Sequence, residues 1–308
     1  MRVTGLLAVV ILSGCELTGG GGGTGGGTGG IDFLKGYVFV RKDDRNVYLA
    51  DDRNLQKALG PLTTSGGTRH PSLSRDGKRV VFSRLVGADT ELATVPTSGG
   101  TPTVVLGSSP LVKDLRNPVF SKDGTKIYFS YDHGSSSSIG VVNVDGTEFK
   151  SLAGTASLSY GAPSLFADGL TLLAGAGNNP GALTQLERID LATGMPTNLT
   201  TNLGTLEGQA VVNRVVISPD GTRAAYDGRV TSQSTRIFVI NLATRVVTKL
   251  TDYTMDANDS FPCWVGNDKV GFSSDSGGND SVYALSAASM STSGGLAVGG
   301  ATEPWYGP

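Results

Sequence analysis

The feature that most constrains the fold is a repeated run of a proline, two or three mostly apolar positions, a serine and an Asp-Gly pair, followed by a second apolar stretch. It is clearest at Pro71–Gly77 and Pro118–Gly124. The positions equivalent to the proline are 71, 118, 163, 215, 262 and 304, so the units are 42 to 52 residues apart. Repeats of this length, made of short strands and turns, are typical of one four-stranded propeller blade. The sequence therefore predicts an all-β fold, a six-bladed β-propeller with four antiparallel strands per blade.

The two ends of the repeat region complement each other. Residues 37–62 contain apolar stretches for the second, third and fourth strands of a blade, whereas its first strand is missing. Residues 303–306 begin a further unit that lacks its other strands. Pairing the two segments would remove both exposed strand edges. We therefore expect the C-terminal strand to close the ring by pairing with the N-terminal blade.

The repeat resembles a known family. The Pro-x-Trp/Phe/Leu-Ser-x-Asp-Gly run, together with Ser273–Tyr283 as a link between second and third strands, is similar to the WD40-like PD40 repeats of TolB-type six-bladed propellers. The resemblance covers residues 35–308. It implies a propeller that binds partners in the bacterial envelope. Members of that family carry an additional N-terminal α/β domain, and this chain has a different segment there.

The N-terminus reads as an export signal. Arg2 precedes the apolar run 6–12, which is too short to span a bilayer, and Leu12-Ser13-Gly14-Cys15 resembles a lipobox. We expect residues 1–15 to be a lipoprotein signal peptide and Cys15 to be acylated; the alternative is an ordinary secretory peptide with an incidental cysteine. Residues 16–34 are glycine-rich and predict a flexible tether, which leaves 35–308 as the propeller. Glu16 favours the outer membrane, with the protein facing the periplasm or the cell surface.

Several function classes are disfavoured by composition and motifs. The formal net charge of −2 argues against a nucleic-acid binder. The two histidines, His70 and His133, lie in different units and in contexts that predict loops, and no Gly-x-Ser-x-Gly elbow occurs. No spacing of histidines or cysteines indicates zinc. We therefore predict no catalytic residues, no metal and no cofactor.

Some conspicuous residues have structural explanations. We interpret the repeated aspartates as hairpin-turn residues, because each precedes a glycine: Asp76, Asp123, Asp168 and Asp220. Cys263 is expected to be a buried core residue. Trp264 and Trp305 are expected to be core residues between blades, equivalent to Leu73, Phe120, Leu165 and Ile217.

The residues around the repeat proline are the candidate ligand site. First strands line the central channel of a propeller, so the residues that enter them should surround its mouth. The candidates are Arg69, His70, Arg116, Asn117, Asn213, Arg214 and Glu303. Three arginines against one glutamate would form a basic funnel for a carboxylate, a phosphate or an acidic peptide. The alternative is that the arginines pair with loop carboxylates such as Asp114 or Asp259.

The sequence thus predicts a monomeric, lipid-anchored, non-enzymatic scaffold that binds a protein partner of the envelope, with a glycan as the alternative partner. A metal-dependent enzyme of the six-bladed lactonase or lyase type is the alternative function, with Asn117, Asn213, His70 and Glu303 as its few candidate ligands. A purely structural spacer is a third interpretation.

Overall fold

The structure is a computed structural model that describes residues 31–152, 158–178, 180, 183–200, 203, 210–230, 234–252, 257–288 and 295–307. The predicted lipobox with Cys15, and the predicted tether up to residue 30, lie outside the described residues.

The described chain forms six antiparallel sheets, which are the six predicted blades. The first blade contains β1 (Gly36–Arg41), β2 (Val47–Asp51) and β3 (Ala58–Leu59). The second contains β4 (Thr68–Leu73), β5 (Arg79–Val86), β6 (Asp89–Pro96) and β7 (Thr103–Gly107). The third contains β8 (Lys113–Phe120), β9 (Lys126–His133), β10 (Ser136–Asn143) and β11 (Lys150–Ser151).

The remaining blades follow the same order. The fourth contains β12 (Ser159–Tyr160), β13 (Ser164–Leu165), β14 (Thr171–Gly177), β15 (Gln185–Asp190) and β16 (Pro196–Thr200), and its innermost strand is split into β12 and β13. The fifth contains β17 (Val211–Ile217), β18 (Arg223–Arg229), β19 (Thr235–Asn241) and β20 (Val247–Lys249). The sixth contains β21 (Asp259–Val265), β22 (Lys269–Ser274), β23 (Ser281–Ser286) and β24 (Gly295–Gly299).

The last strand, β25 (Ala301–Gly307), completes the first blade. It pairs antiparallel with β1, with Tyr306 opposite Tyr37 and Thr302 opposite Val40. The first blade therefore has the order β25-β1-β2-β3. The prediction that the C-terminal strand closes the ring is confirmed.

The core is divided among the interfaces between neighbouring blades. One buried cluster joins the first and second blades through Val38 and Phe82, and another joins the sixth and first through Val282 and Phe39. Four further clusters connect the other neighbours in chain order. All six clusters lie within residues 31–308, which form one compact unit. Because this segment contains all six blades and their core clusters, we expect it to fold without residues 1–30.

Residues at the end of the predicted tether contact the propeller. The amide of Ile31 donates to the carbonyl of Ser98 at 3.1 Å, and the amide of Leu34 donates to Asp51 Oδ2 at 2.8 Å. Ile31 and Phe33 pack against the cluster between the first two blades. Packed structure thus begins a few residues before position 35.

The innermost strands share an irregularity at the repeat proline. In four blades the residue before the proline has a left-handed backbone conformation: His70, Asn117, Phe261 and Glu303, with φ of 51°, 49°, 54° and 54°. The pairing register with the second strand shifts at the same place in these blades. Such bulges bend a strand and redirect side chains, often beside functional sites.

The prediction that both histidines lie in loops was wrong. His70 lies within β4, and His133 is the last residue of β9.

Candidate functional site: the central channel

The channel between the innermost strands contains two cavities and a constriction. At the start of these strands lies a chamber of 210 Å³, here called the proline-side chamber. At their opposite end, next to the Asp-Gly turns, lies a cavity of 430 Å³, here called the turn-side cavity. Between them is a waist with a free volume of only 10 Å³, about the room that one water molecule needs. His70 borders both the waist and the proline-side chamber, whereas Trp305 borders both the waist and the turn-side cavity.

Four of the predicted site residues line the proline-side chamber: His70, Arg116, Asn117 and Asn213. The Arg116 guanidinium donates to Asp132 Oδ1 at 2.7 Å and also pairs with Asp114. Two carboxylates therefore neutralise this arginine, as the alternative interpretation held for Asp114. Arg69 is partly exposed, and its side chain has no ion pair or hydrogen bond with the described residues.

Arg214 is buried at the waist instead of opening onto the chamber. Its Nη2 donates to the carbonyls of Pro304 at 2.7 Å and Phe261 at 3.2 Å. The guanidinium also lies 5.4 Å from the centre of the Phe261 ring and 5.9 Å from that of Trp305. Burial lowers the pKa of Arg214, because desolvation disfavours the charged guanidinium. This arginine fastens three innermost strands to one another.

Glu303 is also buried, and its carboxylate is fully engaged. Its Oε1 accepts a hydrogen bond from Arg45 at 3.0 Å, and its Oε2 accepts one from the backbone N–H of His70 at 2.5 Å. Glu303 thus supports the bulge at His70 in the neighbouring blade.

Desolvation in the channel lowers the pKa of His70 to about 4, so its imidazole is neutral near pH 7.

Asp227 is a buried carboxylate beside the channel that the sequence analysis did not identify as a candidate. Its fully buried carboxylate accepts hydrogen bonds from the backbone N–H groups of Asn213, Arg214 and Phe261 at 2.9 to 3.1 Å. It also accepts one from the Asn213 side chain at 2.7 Å. Three of the other blades have a serine at the matching position on the second strand, namely Ser83, Ser130 and Ser273. An aspartate in place of this serine was the available signal, and Asp227 holds two innermost strands in position.

The turn-side cavity is lined by the last residues of all six innermost strands. Its walls are mostly apolar and aromatic, and they include Leu73, Phe120, Leu165, Phe166, Ile217, Trp264, Trp305 and Tyr306. Trp264 packs in the cluster between the fifth and sixth blades, and its indole N–H donates to the carbonyl of Val216 at 3.0 Å. The tryptophans, which were expected to serve only as core, therefore also form cavity walls.

The expected equivalence of Trp305 with Leu73 was wrong by one residue. Trp305 pairs with Val38, the third residue of β1, whereas Leu73 pairs with Val80, the second residue of β5. The true counterparts of Trp305 in the other blades are the smaller residues Ser72, Val119, Ser164, Val216 and Cys263. Trp305 packs against clusters at three different blade interfaces. One large side chain in a ring of smaller ones therefore fills the channel and forms the floor of the turn-side cavity.

Arginines stack on three aromatic residues of this end of the propeller. The guanidinium of Arg79 lies 5.1 Å from the Phe120 ring centre, and that of Arg223 lies 5.0 Å from that of Trp264. Both arginines follow an Asp-Gly turn and reach the next blade. Arg188 lies 4.5 Å from the Phe166 ring within its own blade. These contacts fix the aromatic walls from behind.

The Asp-Gly aspartates are turn residues, as predicted. In each turn one carboxylate oxygen accepts the N–H of the residue two positions later, for Asp76, Asp123, Asp168 and Asp220. Hydrogen bonds from the Ser121 hydroxyl and from Thr125 lower the pKa of Asp123 to about 2.

Cys263 is buried as expected, and burial raises the pKa of its thiol to about 12.

Within the described ranges, no group of three or more histidine, cysteine, aspartate or glutamate side chains is arranged to hold a metal ion. The same part of the chain contains no helix with the length and hydropathy of a membrane span.

No family model matches this sequence, and no curated protein is similar to it. Solved structures share the fold. TolB from Acinetobacter baumannii has 18% sequence identity and a TM-score of 0.67, over 89% of this chain and 66% of that one. A protein described as a TolB from Agrobacterium tumefaciens has 16% identity and a TM-score of 0.59, over 90% of this chain and 99% of that one. An oligogalacturonate lyase in complex with manganese has 15% identity and a TM-score of 0.55, over 81% of this chain and 76% of that one.

These identities are low enough that the likeness concerns the fold and leaves activity open. The present chain spans about two thirds of the Acinetobacter protein and nearly all of the Agrobacterium one. In this chain the architecture is six blades of four antiparallel strands, closed by the C-terminal strand. The chain has the six-bladed propeller fold of TolB structures, as its repeats predicted.

Proposed function

We propose that this protein is a non-enzymatic, lipid-anchored scaffold of the cell envelope that receives a protein partner at the turn-side face of its propeller. The observation that carries the proposal is the turn-side cavity, to which all six blades contribute. Concave, mostly apolar sites of a few hundred Å³ are where proteins usually bind ligands. Aromatic side chains such as those in its walls commonly dominate binding energy at protein interfaces. The fold shared with TolB structures supports a binding role.

The envelope location rests on the N-terminal segment. Cys15 follows a short apolar run and small residues, and the glycine-rich segment after it would hold the propeller off the membrane. Acyl chains on Cys15 anchor the protein stably, since each buried CH₂ contributes about 0.8 kcal/mol. The full chain expressed in a bacterium should incorporate labelled fatty acid, whereas the Cys15→Ser variant should not. Equal labelling of both would refute the anchor.

The proline-side chamber is proposed as a secondary, polar contact. Arg69 is the channel-mouth arginine best placed to meet an anionic group, because Arg116 is neutralised by Asp114 and Asp132 and Arg214 is buried. The chamber walls add His70, Asn117 and Asn213 as hydrogen-bonding groups. If this contact exists, Arg69→Ala should weaken partner binding with little effect on folding.

A matched pair of variants tests the main proposal. Leu165→Arg places a charge on the wall of the turn-side cavity, whereas Leu170→Arg places the same charge on an exposed position of the same blade. The full chain and both variants are cross-linked in envelope membranes, and the attached proteins are identified. We expect one partner to be lost from Leu165→Arg and kept by Leu170→Arg and the unmodified chain. Partner retention by both variants, at equal thermal stability, would contradict the proposal.

A further inference from the structure

The turn-side cavity has a closed floor and a charged rim, and together they specify a ligand. Its walls are aromatic and aliphatic, and the Trp305 side chain separates it from the waist. A ligand that enters from the turn side must therefore leave by the same route. A cavity of 430 Å³ lies in the range that holds one small molecule.

The charged residues at the cavity are all cations. Arg75 and Lys122, both exposed, contribute to its lining, and none of the described lining residues is acidic. Four carboxylates directly follow lining residues in sequence, and each accepts a hydrogen bond within its own turn: Asp76, Asp123, Asp168 and Asp220. An apolar body in the cavity would thus end at a rim that favours negative charge.

We infer that the turn-side cavity binds a small amphipathic anion, in which an apolar chain or ring ends in a single carboxylate or phosphate. This inference rests on the proposed binding role of the same cavity. The apolar body would lie against Phe120, Leu165 and Trp264 and extend to the Trp305 floor. The anionic group would remain at the rim, beside Arg75 and Lys122. The indole of Trp264 already donates its N–H to a backbone carbonyl, so it offers the ligand an apolar surface.

The sequence provides a specific reporter for this site. Its two tryptophans, Trp264 and Trp305, both line the turn-side cavity. Intrinsic tryptophan fluorescence of the chain therefore reports on this cavity. A bromine atom at the far end of an alkyl chain quenches an indole on contact, which makes ω-bromodecanoate a suitable probe, with ω-bromodecanol as its neutral analogue.

The experiment measures quenching of the Cys15→Ser chain by both probes at low salt. We expect saturable quenching, with ω-bromodecanoate binding about fivefold to tenfold more tightly than ω-bromodecanol, since each rim cation in water contributes about fivefold or less. The preference should shrink in high salt. Arg75→Ala combined with Lys122→Ala should remove it, whereas Lys78→Ala, an exposed cation that does not line the cavity, should not.

The outcomes separate this inference from the proposed function. Equal binding of the carboxylate and the alcohol would overturn the anion preference, and absence of quenching by either probe would overturn the ligand assignment. In both cases the cross-linking test with Leu165→Arg could still identify a protein partner. Conversely, probe binding without any cross-linked partner would support the amphipathic site and refute the protein scaffold.

Discussion

Closure of the ring by β25 should account for much of the stability of the propeller. The perturbation is deletion of residues 300–308. Five residue pairs connect β25 to β1, and about one backbone hydrogen bond per pair, each with a net contribution of about 1 kcal/mol, gives roughly 5 kcal/mol. Loss of the Trp305 side chain from the channel adds about 3–5 kcal/mol. The sum is comparable to the total stability of an ordinary domain, which is about 5–15 kcal/mol.

The assay is thermal unfolding of the 31–308 segment with and without the deletion. For a domain of this size, 1 kcal/mol corresponds to a little less than about 2 °C in Tm. We therefore expect the truncated protein to melt at least ~10 °C lower or to be unfolded at room temperature. The control is a circular permutant in which a glycine-serine linker joins position 307 to position 31, with new termini between Pro110 and Leu111. It keeps every strand and should melt near the original temperature. A truncated protein whose Tm lies within ~3 °C of the full segment would refute the closure argument.

Three further predictions concern titratable groups. The pKa of His70 is about 4 in the folded protein and about 6.5 in the unfolded one, so the unfolded state binds the proton first and stability should fall as the pH drops from 6.5 to 4. The His70→Asn variant, which copies Asn117 of the next blade, should reduce this pH dependence of the free energy of unfolding in urea. An unchanged pH dependence would contradict the assignment. The pKa of Asp123 is about 2 because of hydrogen bonds such as that from Ser121, so its stabilising effect should be lost between about pH 4 and pH 2, and Asp123→Asn should show less acid sensitivity in the same assay. Cys263, the one thiol of the 31–308 segment, should react with a disulfide reagent only after denaturation, and rapid reaction of the folded protein would show that the site is open.

Much of the architecture was predictable because each blade repeats its local chemistry. The Asp-Gly turns fix the hairpins, and the apolar stretches on either side of them have the length of strands. Counting the six positions equivalent to the repeat proline was enough to predict the number of blades, and the incomplete units at both ends predicted the closure through residues 301–307. The turn role of Asp76 and its equivalents was predictable for the same reason, since the partners of the carboxylate lie within a few residues.

The candidate site was less predictable, because it depends on contacts between distant segments. Whether an arginine is free depends on which carboxylates the fold brings near it. Arg116 meets Asp132 from the adjacent strand, and Arg214 is buried against the backbone of the sixth and first blades. Arg69 and Arg116 each stand two residues before their repeat proline, yet only the structure shows that Arg116 pairs with Asp114 and Asp132.

The repeat in the sequence alone determined the all-β class, the six blades, their order and the closing strand, because those follow from local turns and a count. The tertiary structure decided where the channel is open. Trp305 directly follows its repeat proline, as Ser72 follows Pro71, and the fold turns this position toward the channel, where Trp305 stands among smaller residues. That side chain, together with the buried Arg214, closes the waist and leaves the larger cavity beside the turns. Successive side chains of a strand face opposite sides, and which side faces the channel is decided by how the strands pair and how the blades pack, which the repeat alone does not contain.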